Sequence, residues 1–185
     1  MKLSLIKSTL AVLMLGVMTT SAGAVDPDEW DTKPPEPTPT SKECADGEAW
    51  DEQSKKCVKL DARVLDDQDR FRAARELAYA GRLGAAELAL DAMTDQTGTR
   101  LLTYRGFLAR KSGDWEAARV FYDRALAVDP DNLAARSYLG MGLVERGELE
   151  AARQQLSEIR LRGGRETWPE RALLMSLRTG GAAFY

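Results

Sequence analysis

The two cysteines, Cys44 and Cys57, are the residues of this 185-residue chain whose chemistry is most directly predicted. Catalytic redox pairs usually lie close together, as in Cys-x-x-Cys, with a thiol pKa lowered by a helix N-terminus or a nearby cation. Here twelve residues separate the cysteines and acidic residues surround the first. We therefore expect a structural disulfide closing a loop of about 14 residues, for which chain entropy predicts about 3 kcal/mol of stabilisation.

Enzymatic and metal chemistry is not predicted, because the chain contains no histidine. Histidine is the commonest general base, a member of the serine protease triad and a ligand in most zinc sites. Asp26, Asp28, Glu29 and Asp31 could attract a cation, but they lack the Gly turn and terminal Glu of a calcium loop. No nucleophile motif or Gly-rich phosphate loop accompanies them, so we expect no enzyme and no cofactor.

The segment around the cysteines, residues 44–60, is expected to form one small motif. Asp46-Gly47 and Gln53-Ser54 are turn-forming pairs, which favours a short hairpin inside the disulfide loop. Cys-x-x-Gly-x-x-Trp-Asp with a closing Cys-Val resembles small one-disulfide motifs of secreted proteins, some of which occur in carbohydrate-binding modules. Trp50 can therefore be interpreted as the apolar plug of the motif or as a platform for a sugar.

The chain is predicted to begin with an export signal at residues 1–24. Lys2 and Lys7 precede an apolar run, Leu10–Val17, and Ala22-Gly23-Ala24 supplies small residues where a signal peptidase would cut. An uncleaved anchor would need roughly 20 apolar residues, about twice the length of this run. We predict cleavage after Ala24, no membrane span in the mature chain, and a bacterial periplasmic or secreted location.

Residues 25–43 are predicted to be a disordered linker. They contain five of the seven prolines, and residues 25–60 carry ten acidic residues against five lysines. Such a segment cannot make a regular hydrogen-bonded element, so extended polyproline-like chain is expected. It could serve as a spacer, as a docking peptide or as a plain disordered terminus.

Residues 61–185 repeat themselves. Gly81, Gly113 and Gly147 lie 32 and 34 residues apart, and each is followed by a polar residue, a large apolar residue and, one residue later, an Ala pair. The pattern predicts two helices per unit joined at the glycine, which can adopt positive φ at the end of the first helix. Small residues are predicted to let the two helices approach, and they lie at Ala74, Ala86, Gly106, Ala118, Ala125, Gly140 and Ala152.

These spacings resemble the tetratricopeptide repeat over about residues 67–164. The most specific stretches are Leu139-Gly140 through Gly147 to Ala151-Ala152, and Gly113-Asp114-Trp115 through Asp129-Pro130. The resemblance implies an all-α fold, a short right-handed solenoid of about three helix-turn-helix units. A four-helix bundle with accidental periodicity is the alternative. The first unit departs from the pattern, because its last loop, residues 94–98, is two residues short and lacks Asp-Pro.

A final helix is expected to cap the array. Thr167, Pro169 and Glu170 have the spacing of an N-cap with a capping box, and Gly180-Gly181 marks the end of the helix. Leucines at helical spacing would cover the exposed end of the third unit. They lie at positions 173, 174 and 177.

The resemblance also implies that the first helices form a concave face that binds an extended peptide or a helix. Its expected lining mixes arginines with aromatic residues and lies at Phe71, Arg75, Tyr79, Arg100, Thr103, Phe107, Arg110, Lys111, Ser137 and Met141. Such a face suits a protein partner with acidic and apolar groups. The Lys and Asn arrangement with which some members clamp a C-terminal carboxylate is not present, so that specificity is not expected.

The favoured function is a non-enzymatic adaptor or scaffold in the bacterial periplasm. Nucleic acid is not an expected partner, because residues 61–185 carry nineteen acidic and nineteen basic residues and show no basic stripe. The alternative is a cell-envelope protein associated with glycan or peptidoglycan through the disulfide motif and Trp50.

Overall fold

A computed structural model describes residues 33–181, and this part of the chain is mostly helical. A short helix and a hairpin come first: α1 (Pro39–Lys42), β1 (Glu48–Asp51) and β2 (Lys56–Lys59). Seven longer helices follow: α2 (Asp67–Tyr79), α3 (Leu83–Asp91), α4 (Thr99–Lys111), α5 (Trp115–Val128), α6 (Leu133–Glu145), α7 (Leu149–Leu161) and α8 (Trp168–Thr179). The predicted signal at residues 1–24 and the acidic cluster at residues 26–31 lie outside the described residues.

The helices pair as predicted, α2 with α3, α4 with α5 and α6 with α7. Gly81, Gly113 and Gly147 have φ angles of 76°, 86° and 78°, which confirms the left-handed turn expected at each position. The residue after each glycine donates its N–H to the carbonyl five residues earlier, as Arg82 does to Leu77 at 2.9 Å. The same helix end is therefore built three times, because only glycine adopts this conformation without strain.

Small residues bring the paired helices together, although the contacts differ in part from those predicted. All five predicted alanines are fully buried: Ala74, Ala86, Ala118, Ala125 and Ala152. A Cβ on Gly106 would lie 2.6 Å from Cε1 of Tyr122, on the paired helix α5. A Cβ on Gly140 would instead lie 2.7 Å from Cδ2 of Leu173, on α8. The nearest neighbour of Gly140 is thus α8 rather than its paired helix α7, because α8 packs closely on α6.

Helix α8 caps the third unit as predicted, with Leu173 fully buried and Gly180 ending the helix at a φ of 67°. The predicted capping box does not form. The hydroxyl of Thr167 donates backwards to the carbonyl of Gly164 at 2.6 Å. The carboxylate of Glu170 accepts from Arg160 and from the Glu166 N–H, so it serves the loop before the helix.

The first unit departs from the others where its sequence does. Helix α3 has nine residues, whereas its counterparts have fourteen and thirteen. The Asp67 carboxylate holds the loop after it by accepting the N–H groups of Thr94 and Asp95 at 2.9 and 3.0 Å. Burial by itself would raise the pKa of Asp67, but these backbone donors together with Arg70 lower it.

The N-terminal region forms a hairpin and a strap on the first unit. Cys44 and Cys57 are disulfide-bonded, and β1 pairs antiparallel with β2, as expected of the motif. Residues 33–43, hereafter the strap, differ from the disorder predicted for residues 25–43. The buried Glu76 carboxylate accepts the N–H and hydroxyl of Thr38, both at 2.6 Å, and the Ser41 N–H at 2.9 Å. Because proline has no backbone N–H, the strap has few backbone donors, and the Glu76 carboxylate on α2 accepts those of Thr38 and Ser41.

Candidate partner-binding face

A row of aromatic rings joins the first helices of the three units. Tyr79 on α2 stacks on Phe107 of α4 with ring centroids 5.7 Å apart, and Phe107 lies 5.1 Å from Tyr138 of α6. The hydroxyls of Tyr79 and Tyr138 are 2.9 Å apart, so the first and third units meet directly. Tyr104 contacts Phe71, Phe107 and Tyr138. Tyr79 is half-buried, whereas Phe107, Tyr104 and Tyr138 are 0%, 2% and 4% exposed. Hereafter the predicted concave face is this row with the arginines that border it.

Tyr104 and Tyr138 were absent from the sequence-based lining. They lie 34 residues apart, which is one repeat period, and thus occupy equivalent positions in the second and third units. Each directly follows a predicted lining residue, Thr103 or Ser137. Comparing aromatic residues at the repeat period would have found both tyrosines.

Two arginines border the concave face. The buried Arg75 donates from Nε to the hydroxyl of Tyr104 at 3.0 Å and from Nη2 to the backbone carbonyl of Lys33 at 2.7 Å. Arg100 places its guanidinium 5.6 Å from the centre of the Phe71 ring and donates to Gln68 at 3.0 Å. Arginine beside an aromatic ring suits carboxylate and aromatic ligands, because the guanidinium offers both planar donors and a stacking surface.

A cleft of about 280 Å³ lies where α2 and α4 begin. Phe71 and Arg100 line it together with the start of α4, which has no side-chain cap. The remaining lining comes from Asp67, Gln68, Met93, Asp95, Gly98, Thr99 and Leu101. The cleft thus joins the Arg100 end of the concave face to the loop of the first unit.

Thr103 and Ser137, two residues of the predicted lining, form hydrogen bonds within the array. Both are 1% exposed, and each bonds to the beginning of the following unit. The hydroxyl of Thr103 accepts from Asn132 at 3.1 Å, and that of Ser137 donates to the carbonyl of Pro169 at 2.8 Å. These short polar side chains form hydrogen bonds between units because the next helix begins directly over them.

Arg110, another residue of the predicted lining, is buried. Its side chain is 4% exposed, pairs with Glu145 of α6 and lies 5.6 Å from the centre of the Phe107 ring. Tyr122 lies close by, and burial raises the pKa of its hydroxyl, an effect that Arg110 only partly opposes. Lys111 is exposed, whereas Met141 is 4% exposed and belongs to the same core cluster as Phe71, Phe107 and Tyr138.

The disulfide motif packs as part of the N-terminal region rather than as a separate module. Trp50 is half-buried, and its backbone N–H donates to the hydroxyl of Thr40 at 3.0 Å. Arg82 of the first inter-helix turn donates to the carbonyl of Cys44 at 3.1 Å and pairs with Asp46. Sugar binding through Trp50 stays a prediction.

Comparison with known proteins finds similarity to a family over one segment of the chain, from the second unit onward. Residues 109–170 match the family model for the tetratricopeptide repeat. The match runs from the end of α4 to the beginning of α8, and the equivalent turns at Gly81, Gly113 and Gly147 extend the pattern to the first unit. No curated protein and no solved structure matches the chain. Tetratricopeptide repeats generally mediate protein–protein interaction and are typically non-catalytic.

Within residues 33–181, none of the helices has the length and apolar character needed to cross a bilayer. The same part of the chain holds no group of three potential metal ligands among its Cys, Asp and Glu residues. The acidic residues 26–31, which the sequence offered as a loose cation site, are not among those described.

Proposed function

We propose that this protein is a non-enzymatic adaptor of the bacterial periplasm that binds an acidic, aromatic-containing segment of another protein on its concave face. The observation that carries the proposal is the row Tyr79, Phe107 and Tyr138, which crosses three successive units with Arg75 and Arg100 on its border. Tyr79 and Arg100 are only half-buried, so a partner would meet an aromatic ring and a planar cation there.

The chemistry of the partner follows from these groups. A carboxylate can accept two parallel hydrogen bonds from an arginine, and an aromatic side chain can stack on the tyrosine rings or on a guanidinium. Aromatic and arginine residues also dominate the binding energy of measured protein interfaces. The expected partner segment therefore carries Asp or Glu beside Trp, Tyr or Phe, and its binding weakens at high salt.

Selection of short random peptides displayed on phage, against the oxidised chain from residue 25 onward, tests the binding function. Selected peptides should be enriched in acidic and aromatic residues, and Arg100→Gln should weaken their binding about tenfold, the loss of one charged contact. Arg124→Gln provides the matched control, because Arg124 is exposed on α5, the second helix of the same unit. Peptides of basic composition, or equal binding by both variants, would refute the concave face as the site.

The periplasmic location is tested independently of binding. Protein recovered from the periplasmic fraction should begin at Val25, as the Ala22-Gly23-Ala24 pattern predicts. Recovery of a chain that retains Met1 in the membrane or cytoplasmic fraction would contradict export and cleavage.

A further inference from the structure

We infer that the outward face of α8 is a second docking surface and that it binds an acidic amphipathic helix of a partner protein. The surface consists of Arg171, Leu174, Met175 and Arg178, hereafter the α8 face. The inference goes beyond the proposed function, because none of these residues belongs to the predicted concave face. The match to the tetratricopeptide repeat ends at residue 170, so the α8 face also lies outside the matched segment.

The spacing of these four residues places them on one side of the helix. Steps of three, four and seven residues bring side chains to the same face of an α-helix. The opposite side is buried, with exposed fractions of at most 3% at Ala172, Leu173 and Ser176. The two arginines are exposed, and the two apolar side chains are half-buried between them. The α8 face is therefore accessible to a partner.

The exposed charge of α8 has a single sign. Glu170 is the only acidic residue of the helix, and it is buried and accepts hydrogen bonds from Arg160 and the Glu166 N–H. Among residues 33–181, neither arginine of the α8 face has an acidic partner. Arg171 uses one guanidinium N–H for the carbonyl of Glu166 at 2.7 Å, which leaves its other donors for a ligand.

The other outer helices balance their exposed charges. On α5 the exposed charged residues are two acids and two arginines, Glu116, Arg119, Asp123 and Arg124. On α7, Arg153 pairs with Glu150 at 2.7 Å. Residues 160–181 instead carry five arginines against two glutamates, in a chain whose formal net charge is -3. A basic surface on an otherwise acidic chain favours an acidic partner, because complementary charges steer association and select the partner.

The register of α8 indicates that the partner segment is helical. Gly180 ends α8 at a φ of 67°, and the next residue donates its N–H to the carbonyl five residues earlier, as at the ends of α2, α4 and α6. Arg171 precedes Gly180 by nine residues, and Tyr104 precedes Gly113 by the same number. Tyr104 contacts Tyr138 of the following first helix, with ring centroids 6.0 Å apart. The α8 face thus lies where a further helix would continue the array.

The distance between the arginines defines the pattern of the partner helix. Two turns of α8 separate them by about 10.5 Å along the axis. A helix packed alongside, with the axes about 8–10 Å apart, presents carboxylates at this separation when its acids are seven residues apart. Each carboxylate can accept two hydrogen bonds from a guanidinium. Apolar residues three and four positions after the first acid would meet Leu174 and the adaptable Met175. The expected pattern is therefore Glu-x-x-Leu-Leu-x-x-Glu.

A protein partner fits the α8 face better than an anionic membrane does. Helices that lie in a membrane interface bury their apolar face about 5–10 Å into the headgroup and acyl boundary. Every apolar side chain of α8 is buried or half-buried, and the exposed large hydrophobic residues of the described chain lie on other elements. The shallow apolar pair between two cations suits packing against another helix rather than insertion.

Fluorescence anisotropy with a synthetic peptide tests the binding. The labelled peptide has about 18 residues in an alanine-based host, long enough for helix formation in water, and carries the expected pattern once. The control peptide has lysine in place of both glutamates. The oxidised chain from residue 25 onward should bind the acidic peptide at least tenfold more tightly than the basic one. Arg178→Gln should weaken the binding about tenfold, the loss of one charged contact, and Arg124→Gln on α5 should leave it unchanged.

The methionine methyl groups locate the bound peptide. The chain from residue 25 onward contains three methionines, Met175 on the α8 face, Met93 in the cleft beside Arg100 and Met141 in the core. Only the methyl NMR signal of Met175 should shift when the acidic peptide is added. A shift at Met93 with none at Met175 would refute the α8 face and leave the proposed function standing. Failure of the phage selection, together with a shift at Met175, would refute the proposed function and leave the α8 face standing.

Other outcomes would also overturn the inference. Equal binding of the two peptides, no binding up to about 1 mM, or an unchanged affinity in Arg178→Gln would each do so. Dimers that dissociate in Arg178→Glu, without peptide binding, would assign the face to a second copy of the chain. Binding to phosphatidylglycerol vesicles that is lost in the same variant, again without peptide binding, would assign it to a lipid surface. Peptide binding only in a variant that lacks residues 182–185 would assign it to that segment.

Discussion

Gly106 gives the sharpest test of how closely the helices of a unit are packed. An added Cβ would lie 2.6, 2.7 and 3.0 Å from three ring atoms of Tyr122. Ordinary carbon–carbon contacts lie at about 3.5–4.0 Å, so Gly106→Ala requires a relative shift of about 1 Å. Tyr122 is fully buried, which leaves its ring little room to move.

The expected cost follows from two opposing effects. Overpacking a core costs about 1–3 kcal/mol, while replacing glycine by alanine inside a helix contributes about 1 kcal/mol of stability. We therefore expect Gly106→Ala to lower the free energy of unfolding by up to about 2 kcal/mol. Gly84→Ala is the matched control, because Gly84 lies in helix α3 and its added Cβ would meet nothing within 4 Å. This control should raise the free energy of unfolding by about 0.5–1 kcal/mol.

Urea unfolding followed by circular dichroism at the helical band measures both variants. In a Tyr122→Leu background, where the ring is absent, the penalty of Gly106→Ala should shrink, giving a positive coupling energy in the double-mutant cycle. If Gly106→Ala stabilised the protein as much as Gly84→Ala does, close approach to Tyr122 could not be the reason for glycine at this position.

Three further predictions concern the strap, the disulfide and acid stability. Glu76→Gln removes the charge of the carboxylate that accepts from Thr38 and Ser41. The backbone amides of the strap should therefore exchange with deuterium at least tenfold faster. Glu116→Gln, on the exposed part of α5, is the control and should have no effect. Replacing both cysteines by serine should lower the stability of the hairpin by about 3 kcal/mol; unchanged protease resistance of residues 44–60 would contradict this. The hydrogen bonds from Arg160 and the Glu166 N–H lower the pKa of Glu170. Its contribution to the free energy of unfolding is therefore fully present above the ordinary carboxyl pKa of about 4.3 and is lost as the pH falls through the lowered value. Glu170→Gln should flatten the fall in stability below about pH 4.3, whereas Glu150→Gln, at an exposed position, should not.

The periodic features were the most predictable part of the fold. A positive-φ glycine and an alanine pair depend only on local backbone conformation and on the close approach of two helices joined by one turn. The turns at Gly81, Gly113 and Gly147 were therefore predicted correctly, as was the capping role of Leu173. The capping box at Thr167 was wrong, because Arg160 and the preceding loop compete for the Glu170 carboxylate.

The candidate site was less predictable, because lining residues were assigned from one helix at a time. Thr103 and Ser137 lie on the expected helices, but Asn132 and Pro169 of the following units cover them. Arg110 likewise pairs with Glu145, which lies 35 residues away. Tyr104 and Tyr138 join the face because their rings meet across α4 and α6. Which of these side chains are covered depends on how each unit is positioned against the next. The sequence of a single repeat does not specify that position.

The sequence by itself determined that this chain forms a charge-balanced helical repeat array with one disulfide, since helix ends, small-residue contacts and a lone cysteine pair follow from local spacing. Only the tertiary structure decided which side chains form the concave face and that residues 33–43 lie on α2. The physical reason is that a buried acid such as Glu76 or a buried arginine such as Arg75 takes its partners from whatever the fold brings within hydrogen-bond distance. Those partners lie between 29 and 42 residues away along the chain.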